Sequence, residues 1–193
     1  KSELKELPSG GFEGEIVVVD DYAAVGQAVK YLSACPLLGF DTETRPNFKK
    51  WQHHQVALLQ LSAPEKAFLF RLNKIGLPAP VVKLLENTGV KKIGAAIRDD
   101  LKDLKKLNDF EPGGFVELQQ YVREFGIESQ SIRKLAGLIL GIKISKRQQL
   151  SNWENPVLTG PQQRYAATDA WVALKVYQML GSGYWAENNR SST

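Results

Sequence analysis

Asp41 and Glu43 are two carboxylates separated by one residue, and they follow directly after the apolar run LLGF. On a strand, residues two apart project their side chains from the same face, so both acids share one small area. Their repulsion would destabilise the fold or raise a pKa, whereas a hard divalent metal ion would be bound by the same oxygens. The pattern predicts a metal site at a strand end, and a solvated strand end is the alternative.

Tyr165 and a further acid, Asp169, lie four residues apart near the end of the chain. On a helix this spacing places the two side chains one above the other on the same face. They flank a stripe of alanines, and a carboxylate beside a packed face is costly unless it has a partner. The spacing indicates a helix that meets the first acid pair across a cleft. A surface tyrosine and aspartate on an amphipathic helix are the alternative.

The segment IRDDLKDLKKL contains two adjacent acids, Asp99 and Asp100, and helical phase distinguishes them. At about 100° per residue, Asp100 lies roughly 45° from the buried direction of a helix and Asp99 about 145° from it. That direction is defined by the apolar positions Ile97, Leu101, Leu104 and Leu107. Asp100 is therefore expected to face a cleft at the edge of the core, while Asp99 is a favourable anion in the first helical turn.

The apolar segments around these residues predict an α/β fold. Strands are expected from their β-branched and apolar content, bounded by turn residues, over 16–19, 37–43, 56–62, 67–72 and 92–96. The second, third and fourth of them are close in sequence, which favours antiparallel neighbours. The alternation of strand and helix that follows, with helices over 81–86 and 98–107, implies a mixed sheet.

Three further helices each have one apolar face. The first follows the capping residue Asp21 and ends before Pro36. The second covers 132–140 and ends at a glycine. The final helix begins with Thr159 and Gln162, which have the spacing of a capping box, and its apolar stripe continues to the next glycine.

The composition of the chain fits one ordinary globular domain. The 193 residues include 43% hydrophobic and 24% charged residues, which are usual proportions for a folded soluble protein. We expect the domain over 15–181, with a polar N-terminal tail over 1–14 and a C-terminal tail over 182–193. The single cysteine, Cys35, can form no internal disulfide, so a reducing compartment is expected.

The net charge and the hydropathy pattern restrict the binding partners and the cellular location that the sequence predicts. A net charge of +4 and a pI near 9.1 favour an anionic partner without requiring one. The sequence has no apolar run long enough to span a membrane and no signal-peptide pattern. We expect no membrane partner, no secretion, and a cytoplasmic location, or a nuclear one in a eukaryote.

Three motifs together resemble the DEDD superfamily of 3'-5' exonucleases. GFDTE resembles the first exonuclease motif, KKIGAAIRDDLKDL the second, and SNWENPVLTGPQQRYAATDA the third. The tyrosine four residues before the last aspartate is typical of the tyrosine branch (DEDDy), which includes ribonuclease D and the Werner syndrome protein exonuclease domain. The resemblance implies a ribonuclease H-like fold, with a mixed central β-sheet flanked by α-helices.

The resemblance also implies roles for five residues. Asp41, Glu43, Asp100 and Asp169 would hold two Mg²⁺ or Mn²⁺ ions, and Tyr165 would orient the attacking water. Asp41 would bridge both ions, Glu43 and Asp169 would complete the first site, and Asp100 would support the second through water. The expected reaction releases nucleoside monophosphates from the 3' end of DNA or RNA by a two-metal-ion mechanism.

Residues outside the acid set are expected to hold the nucleic acid. Aromatic side chains in the stretch after the first motif, Phe48 and Trp51, could stack on bases. His53 and His54 lie in a polar loop and are expected to be solvated or near the substrate. The residues assigned to substrate binding are Thr42, Arg45, Lys146 and Arg147.

Two other functions are compatible with parts of the sequence. A nucleic-acid-binding scaffold of the same fold that has lost catalysis is one of them, and the intact acid set argues against it. A structural or partner-binding domain is the other, and it would leave the combined placement of the five polar residues unexplained.

Overall fold

A mixed six-stranded sheet forms the centre of the structure, a computed structural model that describes residues 6–128, 131–183, 185 and 187. Its strands are β1 (Glu15–Val19), β2 (Leu37–Thr44), β3 (Val56–Ser62), β4 (Lys66–Arg71), β5 (Lys91–Gly94) and β6 (Phe115–Glu117). They lie in the order β1-β4-β3-β2-β5-β6. β2, β3 and β4 are antiparallel neighbours, as predicted, and the other pairings are parallel.

Helices cover both faces of this sheet. They are α1 (Tyr22–Ser33), α2 (Leu72–Ile75), α3 (Ala79–Glu86), α4 (Ile97–Leu107), α5 (Leu118–Tyr121), α6 (Ile132–Leu135) and α7 (Gly160–Gly181). Apolar residues of α1, α3 and α4 form a core with one face of the sheet, and those of α5, α6 and α7 pack on the other. The predicted α/β class, with a mixed sheet flanked by helices, is confirmed.

Three short segments illustrate where the structure differs from the sequence prediction. β6 was not predicted, because three half-buried residues give too short a pattern for period-two alternation to show. β5 ends at Gly94 and not at 96, because Ala96 has a left-handed backbone (φ 55°) and is the N-cap residue of α4. The helix predicted over 132–140 is confirmed in extent, but it changes from α to π geometry at Ala136.

The N-terminal stretch expected as a loose tail is held against the domain over the part that the structure describes. Phe12 is 2% exposed, and its backbone N–H donates to Thr168 Oγ1 of α7 over 3.0 Å. The Gly10 N–H donates to the Lys143 carbonyl oxygen over 3.1 Å. A single buried phenylalanine in a Gly-rich polar stretch gives no periodic signal, so this contact was missed. Residues 1–5 and most of the expected C-terminal tail lie outside the described residues.

α7 is the longest helix and carries the predicted capping box. The Gln162 N–H donates to Thr159 Oγ1, and the Thr159 N–H donates to Gln162 Oε1. Twelve of its residues are buried, most of them small. Even so, no helix in the described part of the chain is both long and apolar enough to cross a membrane.

Close packing between α7 and β2 depends on Gly39. A Cβ atom placed there would be 1.8 Å from the carbonyl oxygen of Ala170 and 3.2 Å from Leu174 Cβ. Since a contact of 1.8 Å is impossible, only glycine allows the helix backbone to lie this near the strand. The two elements that carry Asp41 and Asp169 are thus brought together by the absence of a side chain.

We predict that Gly39→Ala lowers the free energy of unfolding by at least about 2 kcal/mol, because the methyl group would overpack the α7 interface. The matched control is Gly26→Ala in α1, where an added Cβ meets nothing within 4 Å. That control should stabilise the protein by up to about 1 kcal/mol, since alanine is the better helix former. Urea denaturation of both variants measures the difference, and equal effects would refute the assigned role of Gly39.

Candidate active site

Three carboxylates from two elements converge beside the end of β2. Asp41 and Glu43 extend from β2 and Asp169 from α7, and one oxygen of each lies within 4.8 Å of the others. Hard oxygen donors at this separation can hold a divalent cation such as Mg²⁺ or Mn²⁺. The structure therefore brings together three of the four acids that the sequence singled out.

The alternation of β2 explains which side chains enter this cluster. Gly39 faces α7, and strand periodicity turns Asp41 and Glu43 to the same face. Asp169 immediately precedes Ala170, the residue that packs on Gly39. The β2–β3 pairing shifts in register between Glu43 and Thr44, so the regular pairing is interrupted directly after the second acid.

Asp100 is held at the edge of the cluster by Thr42. Thr42 stands between the two β2 acids in sequence and so projects from the opposite face of the strand. Its hydroxyl donates a hydrogen bond to the Asp100 carboxylate, while its backbone N–H donates to Asp41 Oδ1 over 2.9 Å. Asp100 is half-buried and the adjacent Asp99 is exposed, as helical phase predicted. Asp100 approaches from α4 and lies outside the three-acid group.

Glu117 fixes the start of α4 and was missed by sequence reasoning. Its carboxylate oxygens accept hydrogen bonds from the backbone N–H groups of Ala96 and Ile97, each over 2.8 Å. These amides would otherwise be unsatisfied at the helix N-terminus, where a negative charge is also favourable. Glu117 belongs to β6, so the helix that carries Asp100 is anchored to the edge of the sheet. No sequence signal links a strand glutamate to a helix twenty residues earlier.

Tyr165 lies beside the acids and is contacted by Arg133. The Arg133 Nη2 atom donates to the Tyr165 hydroxyl oxygen over 2.7 Å. The Tyr165 ring also packs against Trp153, with ring centres 5.9 Å apart. Trp153 is fully buried, so it supports the Tyr165 ring from the segment that precedes α7. Arg133 was missed because its sequence context, SIRKLAG, reads as an ordinary amphipathic helix.

Gln60 supports the acids from the neighbouring strand. It is the register partner of Asp41 in β3, it is fully buried, and its Nε2 lies 3.5 Å from Glu43 Oε1. Its Oε1 is buried with no hydrogen-bond donor among the described residues. A lone glutamine inside the apolar run VALLQLS was the available signal for this residue.

Burial raises the pKa values of all four acids, and neighbouring negative charges raise those of Asp41, Glu43 and Asp100 further. Burial, with the charge of Asp169 next, raises the pKa of Glu43 to about 9, and burial raises that of Asp169 to about 6. Burial followed by the Glu43 charge raises the pKa of Asp41 well above its usual range. Burial also raises the pKa of Asp100. A divalent cation would relieve this repulsion, which makes the chemistry of the donor set fit such an ion.

The residues predicted to bind substrate have different environments. The Thr42 hydroxyl hydrogen is engaged by Asp100, and Arg45 Nη1 lies 3.3 Å from Glu154 Oε2. Lys146 and Arg147 are exposed on a turn. The substrate-binding roles of all four residues stay predictions. Exposed side chains also cover the loop between β2 and β3, where Phe48 is 75% exposed and Trp51 is 72% exposed.

His54 and Arg45 connect that loop to the segment that precedes α7. The two side chains meet the same carboxylate, since His54 Nδ1 lies 3.5 Å from Glu154 Oε2. His53 is exposed. Both ends of the loop are therefore held to one partner, while the aromatic side chains in its middle face solvent.

Sequence comparison matches the chain to known nucleases. A family model described as 3'-5' exonuclease matches residues 16–183. The bifunctional 3'-5' exonuclease/ATP-dependent helicase WRN of Mus musculus is 35% identical to it over 94% of this chain. The match covers 14% of that relative, so this chain corresponds to a small part of the longer protein.

Structural comparison shows the same fold in solved nucleases. The Nibbler exonuclease domain of Aedes aegypti superposes with a TM-score of 0.82 at 21% identity, covering 93% of this chain and 94% of that chain. Trypanosoma brucei RNase D, in a complex with RNA U12, gives 0.77 at 18% identity, covering 88% and 63%. At these identities the likeness establishes the fold alone, and the predicted ribonuclease H-like fold is confirmed.

The raised pKa values predict that the metal-free protein loses stability as the pH increases. A carboxyl that holds its proton more tightly when folded stabilises the fold fully at low pH. For Asp169 this stabilisation is lost as the pH rises from about 4 through about 6, and for Glu43 from about 4.5 through about 9. At pH 8 in EDTA, Glu43→Gln should therefore melt at least about 3 °C higher than the unmutated protein.

Thermal melts from pH 5 to 9 test this expectation. Glu65→Gln is the control, because Glu65 is exposed and should leave the melting temperature unchanged. Addition of Mg²⁺ or Mn²⁺ at pH 8 should stabilise the unmutated protein more than Glu43→Gln, since the ion binds only the folded cluster. A melting temperature of Glu43→Gln equal to that of the unmutated protein at every pH would contradict the assigned repulsion.

Proposed function

The chain belongs to the 3'-5' exonuclease family, as its motifs suggested, and we propose that it removes nucleotides from the 3' end of a nucleic acid. The products would be nucleoside monophosphates. The observation that supports this most directly is the convergence of Asp41, Glu43 and Asp169 within 4.8 Å, beside Tyr165 and Asp100. This set has the residue types needed to hold cations and to orient a water for phosphodiester hydrolysis.

The acids are proposed to hold two divalent ions, Mg²⁺ or Mn²⁺. Asp41, Glu43 and Asp169 supply the inner oxygens, and Asp100 supports the set from the opposite face of β2. When bound, such ions supply an activated water and stabilise negative charge on the attacking and leaving oxygens. The protein keeps the four carboxylates close enough to share this charge, and Gln60 and Thr42 keep two of them in fixed orientations.

Tyr165 is proposed to orient the attacking water as a hydrogen-bond donor. Burial, together with the negative charges of Asp169 and Glu43, raises the pKa of its phenol above the ordinary value of 10.0. The hydroxyl therefore stays protonated at neutral pH and cannot serve as a general base. A positioned donor fixes the water relative to the phosphorus atom, and misplacement of about 1 Å costs roughly a hundredfold in rate.

The loop between β2 and β3 is proposed to contact the nucleic acid. It begins directly after the Glu43–Thr44 end of β2 and presents Phe48 and Trp51 to solvent. Lys49 Nζ lies 5.1 Å from the centre of the Trp51 ring, so the loop combines a positive charge with an exposed stacking surface. DNA and RNA both offer the phosphates and bases that such a loop would bind. We propose action on either, in the cytoplasm or a nucleus.

We expect the unmutated protein to shorten 5'-labelled single-stranded DNA or RNA from the 3' end in Mg²⁺ or Mn²⁺. Asp41→Asn and Asp169→Asn should reduce the rate by at least about a thousandfold, because each removes a charge that holds the ions. Tyr165→Phe should reduce kcat by roughly ten- to a hundredfold, since only the water loses its orienting donor. Asp99→Asn is the matched control and should retain full activity.

Gel analysis of product ladders gives the polarity and the rates together. Binding of the oligonucleotide without digestion in either metal would support the inactive scaffold instead. Digestion that is equally fast in Asp41→Asn would show that another site performs the reaction.

The loop assignment predicts a defect in binding rather than in chemistry. Phe48→Ala and Trp51→Ala combined should raise KM by roughly tenfold, because a stacked base is worth about 1–3 kcal/mol, and should leave kcat within about twofold. Tyr22→Ala is the control: Tyr22 is 65% exposed at the start of α1, next to β1 at the far edge of the sheet. An unchanged KM in the loop variant would exclude this loop from the substrate path.

A further inference from the structure

Arg133 contacts the candidate active site without belonging to its acids. It is the second residue of α6 and is half-buried. Besides donating to the Tyr165 hydroxyl over 2.7 Å, its guanidinium carbon lies 5.8 Å from the centre of the Tyr165 ring. One cation therefore meets the tyrosine through both its hydroxyl and its ring face.

This contact determines the direction in which Tyr165 can donate. A phenol has one hydrogen to donate, and its oxygen lone pairs accept. Since Arg133 donates to the oxygen, the hydroxyl hydrogen must point away from the guanidinium and stays available to a water bound beside the acids. Arg133 thereby keeps Tyr165 oriented as a donor toward the metal-binding side of the cleft.

The guanidinium charge acts on the acids as well. Tyr165, which it contacts over 2.7 Å, lies one turn of α7 before Asp169, so the guanidinium places a positive charge beside the acid cluster. The Nε atom of Arg133 is buried, and no acceptor for it occurs among the described residues. Keeping this cation next to the cluster is therefore costly in hydration and is not fully offset by hydrogen bonds.

We propose that Arg133 is a positioning residue with two separable effects. Its hydrogen bond holds the Tyr165 hydroxyl in the orientation needed for turnover, and its charge competes with divalent ions for the acid cluster. In the metal-free protein the positive guanidinium partly balances the negative charge of the carboxylates. When a cation is bound, the guanidinium repels it. Arg133 thus supports turnover while it weakens metal binding. This inference rests on the proposed function of the cluster.

Metal affinity measured without substrate tests the charge effect. Arg133→Met should tighten Mn²⁺ binding about three- to tenfold in isothermal titration calorimetry, because a nearby positive charge is removed. Lys134→Met is the matched control: it removes one charge from the adjacent, exposed position of α6 and should change the affinity less than twofold. Arg133→Lys retains the charge and should bind Mn²⁺ like the unmutated protein. If Arg133→Met has a lower melting temperature, Arg133→Gln replaces it.

A double-variant cycle tests the orientation effect. Arg133→Lys lacks the guanidinium fork, so it should lower kcat roughly tenfold and leave KM within twofold. In a Tyr165→Phe background the same substitution should have no further effect on kcat, because the hydroxyl that Arg133 positions is absent. If Arg133 only holds α6 in place, Arg133→Lys should lower the melting temperature. It should then also lower kcat equally in the unmutated and the Tyr165→Phe backgrounds.

The outcomes separate this inference from the proposed function. If Arg133→Met and Arg133→Gln bind Mn²⁺ no more tightly than Lys134→Met does, Arg133 does not compete with the ions. Additive losses in kcat would overturn the positioning role. If the unmutated protein binds Mn²⁺ and digests nucleic acid, either result leaves the proposed function intact. If it does neither, the proposed function fails, and this inference fails with it.

Discussion

Electrostatic repulsion among four carboxylates is the constraint on which the arrangement of this fold depends. Burial raises the pKa values of Asp41, Glu43, Asp100 and Asp169, and the charges of the other acids raise those of Asp41 and Glu43 further, so the rest of the structure must impose their proximity. Packing at Gly39 presses α7 onto β2, and the Glu117 carboxylate fixes α4 to the sheet edge. These contacts hold the carboxylates close together against their repulsion. A cation-binding site requires such closely spaced carboxylates.

Local periodicity was sufficient to predict where the acids lie. Asp41 and Glu43 share a face because strand side chains alternate, and Tyr165 and Asp169 share one because a helix turns about 100° per residue. Helical phase also separated Asp100 from its neighbour. Each of these inferences depends only on residues within one element, and the structure agrees with each placement. The cost of placing a carboxylate beside a packed helix face indicated that these elements converge, and the family motifs supported the same conclusion.

Features that depend on contacts between distant segments could not be predicted. Arg133, Gln60 and Glu117 reach the site from other elements, and nothing in their own sequence neighbourhoods requires those contacts. The position of Phe12 against α7 and the short strand β6 were missed for the same reason. Tertiary packing decides these placements, whereas a residue pattern reports only the burial and the element type of its own segment.

The docking of α7 has a consequence for biosynthesis. Translation proceeds from the N-terminus, and α7 follows every strand of the sheet along the chain. A nascent polypeptide that still lacks this helix possesses Asp41, Glu43 and Asp100, but it has no Asp169 and no Tyr165. A nascent fragment without α7 therefore lacks two of the five residues proposed for the active site. The proposed site is thus complete only after the segment that carries α7 has been synthesised and has packed on β2.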